Sequence, residues 1–131
     1  MANRSCAAIV NDGMILMVRQ TYKDETFWTF PGGRIEAGES PSQCAIRETK
    51  EETELEIEIT DQVCEYFSAK INGTYYCYFG KIIGGTAQLG SDPELGESEQ
   101  ELVDLQWFPV NEVADHPEVK RVLTFLETGS K

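Results

Sequence analysis

Apolar positions along this 131-residue chain fall into short blocks separated by turn residues. "CAAIV" and "MILMVRQ" flank Asn11-Asp12-Gly13, a pattern that predicts an N-terminal hairpin. "TFWTF" predicts a short aromatic strand, stopped by the breaker Pro31-Gly32-Gly33. Further on, "LEIEIT" alternates apolar and acidic residues, as a half-buried strand does. "VCEYFSAKI" and "TYYCYFGKII" lie on either side of Asn72-Gly73 and predict a second hairpin. "GGTAQLGSDPELGESEQE" is polar and aperiodic, hence a long surface loop. "LVDLQWFPV" then predicts a last strand. "HPEVKRVLTFLET" predicts a terminal helix, with Val119, Val122, Leu123 and Leu126 at helical spacing. Strands outnumber helices in a mixed order, which predicts an α/β sandwich around a mixed sheet, built as one domain over residues 1–131.

Composition narrows the function. A hydrophobic fraction of 40% and a charged fraction of 26% belong to a globular chain and exclude disorder. The net charge of −12 argues against grip on a nucleic-acid backbone, but leaves room for a small phosphorylated ligand if divalent cations supply positive charge. No apolar run reaches the length of a membrane span, and "MANRSCAAIVNDG" lacks the core and cleavage site of a secretory signal, so the expected location is the cytoplasm. Cys6, Cys44, Cys64 and Cys77 form no C-x-x-C pair and read as small buried hydrophobes.

The remaining segment is the most charged. Ser40 can cap a helix, Pro41 suits its first position and Gln43 completes a capping box. Four glutamates then fall within the eight residues "RETKEETE". At about 100° per residue, Glu48, Glu51 and Glu52 share an arc of roughly 100°. Ser42, Ala45, Ile46, Thr49 and Thr53 face the other way and suit a sheet, while Gln43, Arg47, Lys50 and Glu54 lie between the two, toward solvent. Like charges at i and i+4 repel, and anions sit badly at a helix C-terminus. Periodicity by itself fits a solvated face and a site for a hard cation equally well.

The spacing from the glycines breaks that tie. Gly33, five residues, Glu39, seven residues, Arg47-Glu48, two residues, Glu51-Glu52, two residues and Leu55 resembles the Nudix box. "FPGGRIEAGES" resembles the usual approach to it, and the order of hairpins, "WFP" strand and final helix extends the resemblance over the chain. Two positions depart from the family pattern: Thr49 replaces an aliphatic residue and Glu54 replaces a glycine. Glycine there would end the helix in a left-handed conformation, so Glu54 is expected to force another exit and shift the next loop.

The resemblance implies a Nudix-type α/β/α sandwich of the MutT-like kind. It implies a Mg²⁺-dependent (Mn²⁺ possible) pyrophosphohydrolase. The substrate would be a small nucleotide carrying a diphosphate linked to another moiety: a nucleoside triphosphate, ADP-ribose or a nucleotide sugar. By the same resemblance Glu48, Glu51 and Glu52 hold the metal with the carbonyl of Gly32, joined by an acid before the last strand, for which Glu101 stands ahead of Glu97 and Glu99. Glu48 is the candidate base, Arg47 orients a carboxylate, Glu39 ties the loop to the helix, and Arg19 and Gly33 lie near substrate. Arg19 as an exposed strand end, and the acids of the loop as solvated charges, are the plain alternatives. The aromatics Phe27, Trp28, Tyr66, Phe67, Tyr75, Tyr76 and Tyr78 read as core or sheet surface, and His116 as an exposed loop residue. A nucleotide-binding module that has lost turnover is the competing function, and an acidic interaction domain a third. The expected partners are a small nucleotide, with no nucleic acid and no membrane, for a monomer or homodimer.

Overall fold

A computed structural model of the chain describes residues 3–22, 24–90 and 100–128. Two four-stranded sheets carry the fold. The first has the order β5-β1-β7-β6, from Gly32–Arg34, Arg4–Ala8, Gly73–Gly84 and Glu56–Ser68. Only β1 and β7 run parallel in it; the other pairs are antiparallel, so the sheet is mixed. The second is built on β3 (Met14–Tyr22), which pairs with β2 (Val10–Asn11), β4 (Glu25–Thr29) and β8 (Gln100–Pro109). Helix α1 (Pro41–Thr53) and helix α2 (Pro117–Thr128) cover opposite faces of the first sheet. Alternation along β1 makes this division: Ala7 and Ile9 pack with Ala45, Leu55 and Ile57, whereas Cys6 and Ala8 pack with Cys77, Val119 and Val122. The result is the expected α/β/α sandwich.

Several local expectations change. Asp12 and Gly13 both take positive φ (53° and 76°), which makes the tight turn between β2 and β3. The hairpin stops there, however, because β1 leaves it to lie between β5 and β7. Cys6 to Ile9 are all buried, and a run covered on both faces belongs in a sheet centre rather than in an exposed hairpin. "PGG" does end β4, yet the chain resumes at once as β5, pairing Gly32 with Cys6 and Arg34 with Arg4. The two predicted strands after α1 are one, β6, whose bulges between Ile59 and Asp61 and between Gln62 and Cys64 reset the facing pattern. In α2, Val119 and Val122 are buried as expected, but Leu126 is exposed. His116 is half-buried: its Nε2 bonds the Trp28 carbonyl at 2.7 Å, and its Nδ1 accepts from the N–H of Glu118, so it caps α2. Among the described residues no helix is long and apolar enough to cross a membrane.

Candidate metal and catalytic site

Helix α1 begins as its sequence dictates. Ser40 accepts from the N–H of Gln43 while the Gln43 side chain accepts from the N–H of Ser40, a complete capping box. Its end corrects the sequence reading. Glu54 adopts the left-handed conformation itself (φ 64°), donating its N–H to the Lys50 carbonyl at 3.0 Å. The family's helix exit is kept with a side chain attached, at a cost of about 1–2 kcal/mol. Its carboxylate accepts from the Gln88 amide at 2.6 Å. Residues 88 to 90 then cross the helix end, and the N–H groups of Gln88 and Gly90 satisfy the carbonyls of Thr53 and Glu52 at 3.0 and 2.8 Å. Sequence reasoning missed this strap, since "TAQLG" carries no periodicity that would have revealed it.

The glutamate face is not solvated. Glu48 and Glu52 are each 1% exposed, and α1 packs this face on β5, while Ile46, assigned to the sheet by periodicity, is exposed. Glu52 Oε1 accepts from the N–H of Gly32 at 3.2 Å. The Glu48 carboxylate lies against Gly33, where an added Cβ would come within 2.5 Å of its Cδ and Oε2. Thr49 is buried as well, and its hydroxyl has no hydrogen-bond partner among the described residues.

Arg47 organises the rest. Its Nε and Nη2 grip both oxygens of Glu39 at 2.6 and 3.1 Å, and its Nη1 meets Glu48 at 3.1 Å and Glu51 at 3.3 Å. The Arg34 carbonyl accepts from Nη2 at 3.1 Å. The paired hydrogen bond holds the Glu39 carboxyl below the usual range and Arg47 firmly protonated. Arg47 is therefore turned into the cluster and not toward solvent. Glu39 also accepts from the N–H of Glu36, which fixes the loop before the helix.

The other candidates lie as follows. Gly32 and Gly33 are buried on β5, beside Glu52 and Glu48. Arg19 is exposed on β3, its guanidinium 6.0 Å from the Trp28 ring centre, on the strand face that carries Ile15 and Met17. The backbone of Glu101, on β8, pairs with Thr21 of β3. Its side chain, and Glu97 and Glu99 altogether, lie outside the described residues. Among the described residues no group of three acid, His or Cys side chains converges closely enough to hold an ion as it stands. The carboxylates are held instead by Arg47 and by backbone N–H.

The family model of the NUDIX domain matches residues 1–127. The chain belongs to the Nudix family. A Bacillus subtilis protein provisionally named an 8-oxo-dGTP diphosphatase is 37% identical over 73 residues, covering 56% of this chain and 48% of its own. The NAD-capped RNA hydrolase NudC of Vibrio atlanticus is 29% identical over 112 residues, covering 82% of this Nudix chain and 37% of its own. The chain spans about half, or less, of the length of these curated relatives. Among solved structures, a Nudix hydrolase from Nitrosomonas europaea superposes with a TM-score of 0.78 at 21% identity, covering 99% of this chain and 90% of that one. An ADP-ribose pyrophosphatase from Streptococcus suis superposes with a TM-score of 0.72 at 22% identity, covering 99% and 92%. At those identities the structures establish the fold.

Proposed function

We propose that this Nudix protein is a Mg²⁺- or Mn²⁺-dependent hydrolase of nucleoside diphosphates linked to another moiety. The observation that carries the reading is the burial of Glu48 and Glu52 side by side against Gly32 and Gly33. Taking a carboxylate out of water costs several kcal/mol, which a purely structural helix would avoid with apolar residues. The donors here are all oxygen, the chemistry that suits a hard divalent cation. Glu48, Glu51, Glu52, the Gly32 carbonyl and Glu101 would hold it. When bound, the cation supplies charge to neutralise the diphosphate and activate a water.

The chain's own groups do the rest. Glu48 accepts the proton of the attacking water. Arg47 positions Glu48, Glu51 and Glu39 and stays charged throughout. Gly33 leaves the space that the Glu48 carboxylate fills, and Arg19 receives the distal part of the substrate. We assign these roles to one domain over residues 1–131, acting in the cytoplasm as a monomer or homodimer. The names of the relatives point to 8-oxo-dGTP, ADP-ribose and NAD-capped RNA, which share a phosphoric anhydride next to a nucleoside. For this chain the net charge of −12 favours the small nucleotides.

The competing reading, a nucleotide-binding module without turnover, draws support from Arg47 occupying Glu48 and Glu51. A screen of nucleoside triphosphates, ADP-ribose and nucleotide sugars with Mg²⁺ separates the two. Release of a nucleoside monophosphate from at least one, abolished by EDTA, is expected. Activity that persists in EDTA, or hydrolysis mainly of carboxylic esters, would overturn the proposal; nucleotide binding without turnover would favour the module.

A further inference from the structure

The opposite face of the first sheet holds chemistry that the α1 carboxylates do not use. Cys6 on β1, Cys77 on β7 and Cys64 on β6 are register partners across three adjacent strands. Directly paired residues point to one face, so the three thiols stand in a row beneath α2, with Cys77 within hydrogen-bonding reach of both neighbours. All are free thiols. Cross-strand partners have Cα atoms about 4.5–5.5 Å apart, inside the roughly 4.4–6.8 Å span that a disulfide bridges.

The three differ in access. Cys6 and Cys77 are buried, whereas Cys64 is half-exposed. It lines an open cleft of about 630 Å³ between β6 and α2, together with Tyr66, Lys120 and Arg121. The Arg121 guanidinium lies 4.3 Å from the centre of the Tyr66 ring. The hydrogen bond from Cys77, aided by the charge of Arg121 and opposed by burial and Glu118, pulls the Cys64 thiol below its ordinary range. Cys77 is pushed well up by hydrogen bonds with Cys6 and Cys64 and by burial, and Cys6 is pushed up by burial. One accessible thiol with an adjacent protonated partner is the arrangement of a reactive and a resolving cysteine.

We propose that Cys64 is a peroxide-reactive thiol and that Cys77 resolves it into a reversible disulfide across the β6–β7 hairpin. The Cys64 thiolate attacks one oxygen of hydrogen peroxide; an S–O bond forms, the O–O bond breaks and hydroxide leaves. The Cys77 sulfur then attacks the Cys64 sulfenic sulfur. The S–S bond forms, and the hydroxyl departs with the Cys77 proton as water. Dithiothreitol returns both thiols. Cys44 serves as an internal control: it has no cysteine register partner, and burial, first among its causes, pushes it up to about 12.

The test treats the native full chain with stoichiometric hydrogen peroxide, blocks remaining thiols and maps peptides; Lys70 between the two cysteines lets trypsin separate them. A Cys64–Cys77 linkage is expected, with the intact mass lower by two hydrogens, reversed by dithiothreitol, and with Cys44 still alkylated. Cys64→Ser, at a half-exposed position, should abolish the linkage and slow peroxide consumption roughly tenfold or more. Cys77→Ser should leave a Cys64 sulfenic acid that dimedone captures, and Cys6→Ser should keep the linkage. Should Cys77→Ser fail to fold, Cys64→Ser alone decides. Oxidation of all four cysteines alike, or wild-type rates in Cys64→Ser, would overturn the proposal.

Discussion

Gly33→Ala tests whether the placement of Glu48 matters, without removing any charge. The backbone at Gly33 has no positive φ, so alanine meets no torsional objection. The objection is space. The new Cβ would stand 2.5 Å from Glu48 Cδ and Oε2 and 2.8 Å from Oε1, where ordinary contact begins at 3.4 Å, so the carboxylate must retreat by about 1 Å. It is 1% exposed and ion-paired to Arg47, which leaves it no open side to enter. Overpacking of this kind costs about 1–3 kcal/mol in stability. A displacement of about 1 Å at a reacting group costs on the order of 10²-fold in rate, about 2.7 kcal/mol. Gly38→Ala is the matched control: its φ of +81° penalises alanine, but nothing lies within 4 Å of the added Cβ. It should lose about 1–2 kcal/mol of stability and keep its turnover. The assay is kcat/KM on the best substrate, beside urea unfolding, with Glu52→Gln as the variant that loses a carboxylate outright. Gly33→Ala should fall with Glu52→Gln, and Gly38→Ala with wild type. If Gly33→Ala turns over within a few-fold of wild type while Glu52→Gln is dead, the contact between Gly33 and Glu48 has no catalytic meaning.

Four further outcomes follow from the same geometry. Thr49→Val keeps the shape and removes a buried hydroxyl that finds no partner among the described residues, so urea unfolding should show a gain of about 1 kcal/mol; a loss would mean that the hydroxyl is satisfied after all. Glu54→Gly should relieve about 1–2 kcal/mol of left-handed cost, offset in part by glycine entropy and the lost Gln88 bond, so the thermal midpoint should rise by roughly 4 °C or less with turnover within a few-fold. Glu39 has a folded pKa below its ordinary 4.5; its contribution to stability is complete above that value and is lost as pH falls through the lower folded value. Glu39→Gln should therefore flatten the acid limb of a stability profile below about pH 4.5, and parallel profiles would count against it. Millimolar Mg²⁺ should raise the thermal midpoint more than NaCl of equal ionic strength, and equal midpoints would leave the cation site unsupported.

What the sequence disclosed depended on whether the physics was local. Helix α1 was legible because its start is written in Ser40, Pro41 and Gln43, which act within one turn. The turn at Asp12-Gly13 was legible for the same reason. The central position of β1 was not, since four consecutive buried residues carry no alternation to say which neighbours they will have. Strand β5 was hidden because Gly32-Gly33-Arg34 has no apolar signal; it forms through a close approach to β1 that Gly32 permits. His116 looked like a loop residue because its partner, the Trp28 carbonyl, is 88 residues away in sequence. The glutamate spacing revealed the box, but not the burial of Glu48 and Glu52, since charge patterns are read with solvent as the default surroundings.

That burial explains the part Arg47 plays. In the folded chain a single guanidinium meets the carboxylates of Glu36, Glu39, Glu48 and Glu51, the first at 3.8 Å. Glu52 Oε1 takes the backbone N–H of Gly32 among its partners. The charge of Arg47 is shared among four carboxylates, and the cluster also lies toward the negative end of the helix. The strap through Gln88 and Gly90 blunts that end by occupying the last carbonyls, but adds no cation. Around Arg47 the acids outnumber the guanidinium four to one, and Glu48 among them is out of water, where Coulomb forces are less screened than at the surface. Arg47 keeps the carboxylates ordered, at 3.1 Å from Glu48 and 3.3 Å from Glu51, and a divalent cation at the site we propose would add positive charge to that of Arg47. A guanidinium bridging several acids orders them through directional hydrogen bonds, which the point charge of a lysine could not do, so Arg47→Lys is not a conservative change at this position.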